Sequence, residues 1–525
     1  MKRSITLYDT TLRDGMQREG MSVSVEEKLR IALRLSELGI HVIEGGFPGS
    51  NPKDAEFFRL LEAEDLRRTA VSAFGTTRGR AGQADTDPVL RVLADSWVSV
   101  ACVVGKTWKL HIEKILKVDL DENLRMIADS VAFLQEQGKR VVYDAEHFFD
   151  AYAEHPEYAL KCLRTAAESG AEAVVLCDTN GATLPGGIAR TVREVHRQVS
   201  GTVRVGIHTH DDGGCAVANS LVAVEEGAAH VQGTINGYGE RAGNADLCVI
   251  IPALKLKLDC ECISDEDLRR LTDTSHFVAE LCNIAPDPHQ PYVGRNAFAH
   301  KGGLHVAGVA ADSRTFEHIR PEAVGNTSHV LVSELSGRGT VRERARDLGL
   351  DPTPEQVDAV LSRLKTKEHE GYYYEAADAS FEILVRKELG ERHDYFRLES
   401  FRLIVEKRAD GDILTEATIK VHVNGDRIIQ TAEGNGPVNA LDRALRLAIE
   451  RKYPDLEKIQ LVNYRVRILD EAKGTGAVTR VLLDSSDGHD SWGSVGVHEN
   501  VVEASWQALV DSIVYGLMHE HPPFE

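Results

Sequence analysis

Over the first half of the chain, short apolar runs of β type close abruptly in polar or charged residues, and each is followed by a segment of helical period. The first run, Ile5-Thr6-Leu7-Tyr8-Asp9, opens onto Thr10-Thr11-Leu12-Arg13-Asp14-Gly15-Met16-Gln17. Ser24 and Glu27 form a capping-box signal for a helix that stops at Leu38-Gly39. The alternation then predicts strands at His41–Pro48, Thr69–Gly75 and Trp97–Val104, with helices at Asn51–Leu61 and Pro88–Ala94. Further strands are expected at Arg140–Glu146, Ala173–Gly181, Val203–Asp212 and His230–Gly237. Eight β-runs separated by helical segments within about 250 residues match a (β/α)8 TIM barrel.

Beyond the barrel the alternation stops. Asp265–Cys282 reads as helix, Ala299–Gly308 as a Gly-rich turn with two histidines, and Arg342–Lys367 as a charged helical stretch. Asp351-Pro352-Thr353-Pro354-Glu355 interrupts that stretch as a loop and cap, marking a domain junction. The C-terminal part then repeats itself. Leu398–Val405 recurs in pattern as Leu461–Ile468, roughly 63 residues later, with hairpin signals Asn424-Gly425 and Asp487-Gly488 after each. Val438-Asn439-Ala440 is answered by Val502-Glu503-Ala504. Two strand-strand-strand-helix units imply a duplicated α+β domain. The expected organisation is therefore a barrel catalytic domain over 1–262, mostly helical linker subdomains over 263–370, and a duplicated α+β regulatory domain over 371–525.

Chemistry on a barrel gathers where the strands end at their carboxyl side. Those ends carry Asp14, Glu44, Glu146, Asp178, Thr179, His208, His210, Thr234 and Asn236. Any one of them alone, Glu44 for example, reads equally well as a wet loop residue, but their convergence favours a site. His208 and His210, two apart on a strand, share a face as two ligands of one ion would, and Asp14 would supply a third, oxygen ligand. A His-x-His pair is often merely hydrogen-bonded, so the metal reading depends on the fold joining it to Arg13-Asp14. Asn244, at the start of the helix after the eighth strand, reads by itself as a helix cap. Barrel closure brings it beside the first and seventh strands, where its amide oxygen can serve the same ion.

With 525 residues, 42% of them hydrophobic, the chain can bury a large core. A formal charge of -21 argues against duplex nucleic acid or an anionic membrane as partner, since both demand a basic footprint. Met1-Lys2-Arg3-Ser4 runs straight into the first strand without an apolar signal region, and no apolar stretch is long enough to span a bilayer, so the cytoplasm is the expected compartment. Eight scattered cysteines, Cys102, Cys177 and Cys282 among them, read as reduced packing residues. Cys260-Glu261-Cys262 lacks a second pair at zinc-knuckle spacing.

Asp9–Gln17, His208-Thr209-His210 and Gly233-Thr234-Ile235-Asn236-Gly237-Tyr238-Gly239-Glu240-Arg241-Ala242-Gly243-Asn244 together resemble the 2-isopropylmalate, homocitrate and citramalate synthase family. The resemblance covers nearly the whole chain. Leu7-Tyr8-Asp9 and Tyr143–Asp150 are most similar to its long-form citramalate branch. It implies a Claisen-type condensation of acetyl-CoA with pyruvate and water, a divalent ion (Zn, Mn or Mg) held by Asp14, His208, His210 and Asn244, and a homodimer. Arg13 would then stabilise developing oxyanion charge, with Gln17 and Thr179 binding the oxo acid. Glu146 and His305 are joint candidates for proton transfer, and relatives supply the histidine matched by His305 from the partner subunit. The C-terminal domain would bind an end-product amino acid, with isoleucine as the implied effector. Two departures from the family stand out. Asp211 replaces the Asn of His-x-His-Asn-Asp, and the residues after Glu146 differ from the Asp-Ala-Ser/Thr-Arg pattern of isopropylmalate synthases. The rival readings are an isopropylmalate or homocitrate synthase, an acyl-CoA lyase, and a non-catalytic amino-acid sensor; lyases lack the duplicated domain.

Overall fold

The computed structural model describes residues 2–49, 51–66, 68–199, 201–300, 305, 308–309, 311–330, 338–391, 394–409, 411–469 and 476–520. The chain divides into two compact units, Met1–Phe298 with Glu317–Ser328, and Ala299–Phe316 with His329–Glu525.

In the first unit the expected barrel forms. Its strands are β1 (Thr6–Asp9), β2 (Val42–Glu44), β3 (Ala70–Thr76), β4 (Val100–Lys106), β5 (Arg140–Glu146), β6 (Ala173–Asp178), β7 (Arg204–Thr209) and β8 (His230–Gly233). They pair in parallel in chain order, and β8 closes on β1 with Thr6 opposite His230 and Asp9 opposite Gly233. Several strands are shorter than the apolar runs that announced them. β8 stops at Gly233 because Ile235–Gly237 turns in a 3₁₀ loop, where Asn236 takes a left-handed φ of 62°. Trp97 stays outside β4, half exposed, with its indole N–H on the Phe58 carbonyl.

Two packing layers hold the barrel. Leu7, Ile43, Phe57, Val103, Leu163, Leu176, Ile207 and Val231 fill the space between strands and helices, each such burial contributing about 1.5–3 kcal/mol. Tyr8, Val42, Val100, Cys102, Val142, Val175 and Cys177 form a separate cluster of strand side chains. The helix Val25–Glu37 begins with the predicted Ser24–Glu27 capping box. From it the buried Lys28 reaches the Gly45 carbonyl at 2.8 Å and Asp54 at 2.6 Å. Asp54 in turn accepts from the Phe47 N–H, so this ion pair pins the turn leaving β2. All eight cysteines carry free thiols. The helix predicted over Asp265–Cys282 is two helices, Asp265–Leu268 and Leu271–Leu281; the break lets Leu268 and Leu271 both reach the core.

The second unit contains the short parallel pair β9 (Ala299–His300) and β10 (His329–Val330). Of the predicted Gly-rich turn, Lys301–Leu304, Val306 and Ala307 lie outside the described residues. The helix Pro354–His369 starts with a Thr353–Gln356 capping box. The duplication is plain. β11 (Arg397–Lys407), β12 (Ile413–Val423) and β13 (Asp426–Gly434) form one antiparallel sheet followed by helix Pro437–Ile449. β14 (Gln460–Ile468), β15 (Thr479–Ser486) and β16 (Ser491–His498) form the other, followed by helix Val501–Glu520. Strict alternation in β12 buries Ala417, Ile419, Val421 and Val423 in the core that includes Leu441 and Leu445. Asn424 and Gly425, at φ 48° and 87°, make the two-residue hairpin turn that the Asn-Gly signal predicted. Among the described residues no helix is long and apolar enough to cross a membrane.

Candidate active site at the barrel mouth

Barrel closure brings Asp14, His208 and His210 together, all buried, with ligand-capable atoms within 4.8 Å of one another. The two histidine Nε2 atoms face each other at 3.2 Å, and Asp14 Oδ2 lies 3.4 Å from His208 Nε2 and 4.0 Å from His210 Nε2. Asp14 sits just past β1, in the turn held by Asp14 and Gly15 N–H bonds to the Thr10 carbonyl. Burial alone would push its carboxyl up, but Arg13, His208 and His210 outweigh this and hold it well below the usual carboxylate range. Burial and the neighbouring His208 push His210 down to about 3, so its ring is neutral and carries a lone pair.

Asn244 corrects an expectation. It does not cap the following helix, which starts at Leu247 with Asp246 as its cap. Instead, Asn244 forms an isolated backbone bridge with His210, which ties the loop after β8 to the end of β7. Its Nδ2 donates to the Tyr238 carbonyl at 3.2 Å, which leaves Oδ1 as the spare acceptor. Gly239 permits this seat, because a Cβ there would lie 2.1 Å from Asn244 Nδ2. Asn244 Oδ1 and His210 Nδ1 are both buried with no hydrogen-bond partner among the described residues. An unsatisfied buried acceptor such as Asn244 Oδ1 is costly unless something occupies the space it faces. One carboxylate, two imidazoles and a spare amide oxygen are donors that fit a divalent ion such as Zn²⁺, Mn²⁺ or Mg²⁺.

A chain of buried polar residues orients this cluster. His208 stands opposite Gln232 in the β7–β8 register, and its Nδ1 lies 2.9 Å from Gln232 Oε1. Gln232 Nε2 donates to Asp144 Oδ1 at 2.9 Å, which commits Oε1 to accepting from His208 Nδ1–H. His208 is thereby turned to meet an ion through Nε2, the nitrogen at which the Asp14 carboxylate raises its affinity for a cation or proton. Asp144 is pushed up to about 6 by burial and by Glu44. Gln232→Leu should lower divalent-metal affinity roughly 10–100-fold, read by titrating metal-free protein, because the tautomer is no longer enforced. An unchanged affinity would remove Gln232 from the site's design.

Arg13 is held by Glu44 rather than by solvent. Its Nε donates to Glu44 Oε1 at 2.5 Å, Nη1 lies 3.5 Å from Asp14 Oδ2, and the guanidinium stacks 4.2 Å from the Phe74 ring centre. Glu44 is fully buried and also accepts from the Tyr8 hydroxyl at 2.6 Å. Burial would weaken the Arg13 cation, yet Glu44 and Asp14 more than compensate, so it stays charged.

The other expected residues lie around this centre or apart from it. Glu146, at the end of β5, pairs with Lys106 at the end of β4. Thr179 follows β6, and its hydroxyl accepts from the His147 N–H at 2.9 Å. Gln17 is exposed in the 3₁₀ turn Gly15–Gln17. Asp178 binds Thr183, Thr234 donates to the Tyr238 carbonyl, and Asn236 accepts from Ser275, so these three support loops. Asp211 accepts from the Ala216 N–H and so shapes the loop after β7. His305 belongs to the second unit, exposed and stacked 4.2 Å from Phe316.

The chain matches the HMGL-like family model over residues 4–278, the homocitrate synthase post-HMGL domain-like model over 292–371, and the LeuA allosteric (dimerisation) domain model over 375–517. It is 50% identical over 516 residues to an (R)-citramalate synthase of Geobacter sulfurreducens, covering 98% of this chain and 97% of that protein. The chain belongs to the HMGL-like family, among its (R)-citramalate synthases. An (R)-citramalate synthase of Streptomyces coelicolor is also 50% identical, over 98% of this chain and 97% of its own length. A probable 2-isopropylmalate synthase of Methanopyrus kandleri is 33% identical over 98% of each. These two (R)-citramalate synthases share markedly more of this chain's sequence than that isopropylmalate synthase does.

Proposed function

We propose that the barrel mouth catalyses a Claisen-type condensation of acetyl-CoA with pyruvate and water, giving (R)-citramalate and CoA. The observation that carries the reading is the buried Asp14–His208–His210 cluster joined to the Arg13–Glu44 pair, in a chain half identical to citramalate synthases from end to end. A divalent ion held by Asp14, His208, His210 and Asn244 would supply Lewis acidity toward the keto and carboxylate oxygens of a 2-oxo acid. Arg13 sets a permanent cation where the oxyanion develops, and Glu44 fixes its direction. Thr179 and Gln17 hold the oxo acid. Glu146, poised by Lys106, and His305 from the partner subunit share the removal of the methyl proton of acetyl-CoA.

Release of CoA over a panel of pyruvate, 2-oxoisovalerate and 2-oxoglutarate tests the substrate. Pyruvate should give the highest kcat/KM, and preference for either larger acid would replace the reading with an isopropylmalate or homocitrate synthase. The 50% identity to (R)-citramalate synthases over 98% of this chain supports the smaller oxo acid.

We also propose a cytoplasmic homodimer inhibited by isoleucine through the C-terminal repeats. Helix Pro437–Ile449 follows Gly436, which brings no side-chain cap, whereas Asn500 caps its own helix by accepting from the Val502 and Glu503 N–H groups. The first repeat therefore keeps more backbone N–H groups free for an amino-acid carboxylate. Calorimetry of the full chain should show heat with isoleucine and none with lysine, together with lowered turnover. Neither heat nor inhibition with isoleucine would remove the effector reading.

A further inference from the structure

Beside the Lys106–Glu146 pair lie two histidines, His111 and His147, for which the condensation has no use. We propose that His111, Glu146 and His147 form a second transition-metal site at the mouths of β4 and β5, separate from Asp14, His208 and His210. One nitrogen of each histidine and a Glu146 carboxylate oxygen lie within 4.8 Å of one another.

Both rings are prepared for ligation. His147 Nδ1 sits 3.1 Å from Asp150 Oδ2, an oxygen that also accepts from Asn180 Nδ2 at 3.1 Å. With Asp150 accepting from Nδ1–H, the lone pair lies on Nε2, which is the arrangement that raises the basicity of metal-bound imidazole. The His147 backbone is left-handed at φ 53°, unusual for a residue with a Cβ, and its N–H is tied to Thr179 Oγ1. That backbone turns the ring toward His111, whose centre is 4.3 Å away in an edge-on arrangement. His111 precedes a π-helical turn, Ile112–Leu116, and its Nδ1 is buried with no partner among the described residues. The Trp108 ring packs 5.3 Å from His111 and 5.4 Å from His147, restricting both.

Two imidazoles and one carboxylate suit Zn²⁺, Co²⁺ or Ni²⁺ and not Mg²⁺ or Ca²⁺, which want an oxygen shell. Lys106 already pairs with Glu146, so an ion here competes with the ammonium for one carboxylate. Resting on the proton-transfer role proposed above for Glu146, occupancy would silence turnover, making this a site of inhibition by excess metal.

Cobalt(II) titration of the metal-free full chain, read by visible absorbance and by metal content after desalting, tests the binding independently of activity. Wild-type protein should retain two ions per chain. His111→Gln and His147→Gln should each retain one, and His210→Ala should retain the one at the new site. Excess Zn²⁺ should inhibit wild type, with His111→Gln needing roughly tenfold more. A wild-type chain that retains one ion, or a folded His111→Gln or His147→Gln chain that still retains two, overturns the site. Two ions without zinc inhibition would leave the site standing and remove Glu146 from catalysis.

Discussion

His210→Ala should lower turnover by roughly 10³-fold or more and empty the Asp14–His208–His210 site of its divalent ion, while the barrel stays folded. His210 supplies a neutral Nε2 3.2 Å from that of His208, and its loss leaves Asp14 and one imidazole, too few ligands for tight retention. Losing the ion forfeits several kcal/mol of charge stabilisation, which sets the size of the effect. Its side chain lies outside the hydrophobic cluster that holds strands to helices, so the thermal transition should move little. Steady-state CoA release, metal content after desalting and a circular-dichroism melt read the three quantities. Near-normal activity with normal metal content would show that the ligand assignment is wrong.

Arg13→Lys should cost roughly 10²–10³-fold in kcat with metal content unchanged. One guanidinium simultaneously engages Glu44 at 2.5 Å, approaches Asp14 at 3.5 Å and lies over Phe74 at 4.2 Å. An ammonium is a point charge without that planar fork, so it satisfies Glu44 or faces the substrate, but not both. The buried Glu44 carboxylate will hold the lysine, because a buried charge left unpaired costs several kcal/mol. The cation is thus preserved but misdirected. Wild-type kinetics for this variant would remove Arg13 from the mechanism.

Much of this geometry was legible in the chain. The period-two placement of His208 and His210, and the polar close of each apolar run, pointed to one barrel face, and the Asn-Gly and capping-box signals fell where the turns and helix starts are found. What escaped were polar residues inside the strands. Glu44 was visible at a strand end, but nothing local distinguishes a wet glutamate from one wedged between Tyr8 and Arg13. Asp144 and Gln232 were harder, since their roles depend on β5 and β8 meeting inside a closed barrel. The available hint was that Asp144 shares a face with Glu146, two residues on. Asn244 was read as a helix start because Asp246, the true cap, lies only two residues later. For His305, the described geometry places the residue beside Phe316, and its proposed role depends on a second subunit.

The most direct test follows the carbon that the site is built to attack. Protein loaded with Mg²⁺, which the His111–His147 group does not favour, and incubated with acetyl-CoA and [2-¹³C]pyruvate should move the label from ketone to carbinol, with one CoA released per carbinol formed, as read by ¹³C NMR and a thiol assay. Chelator-stripped protein should do neither until a divalent ion is restored. CoA release with the label still in the ketone, or carbinol formation at full rate in stripped protein, would contradict the account.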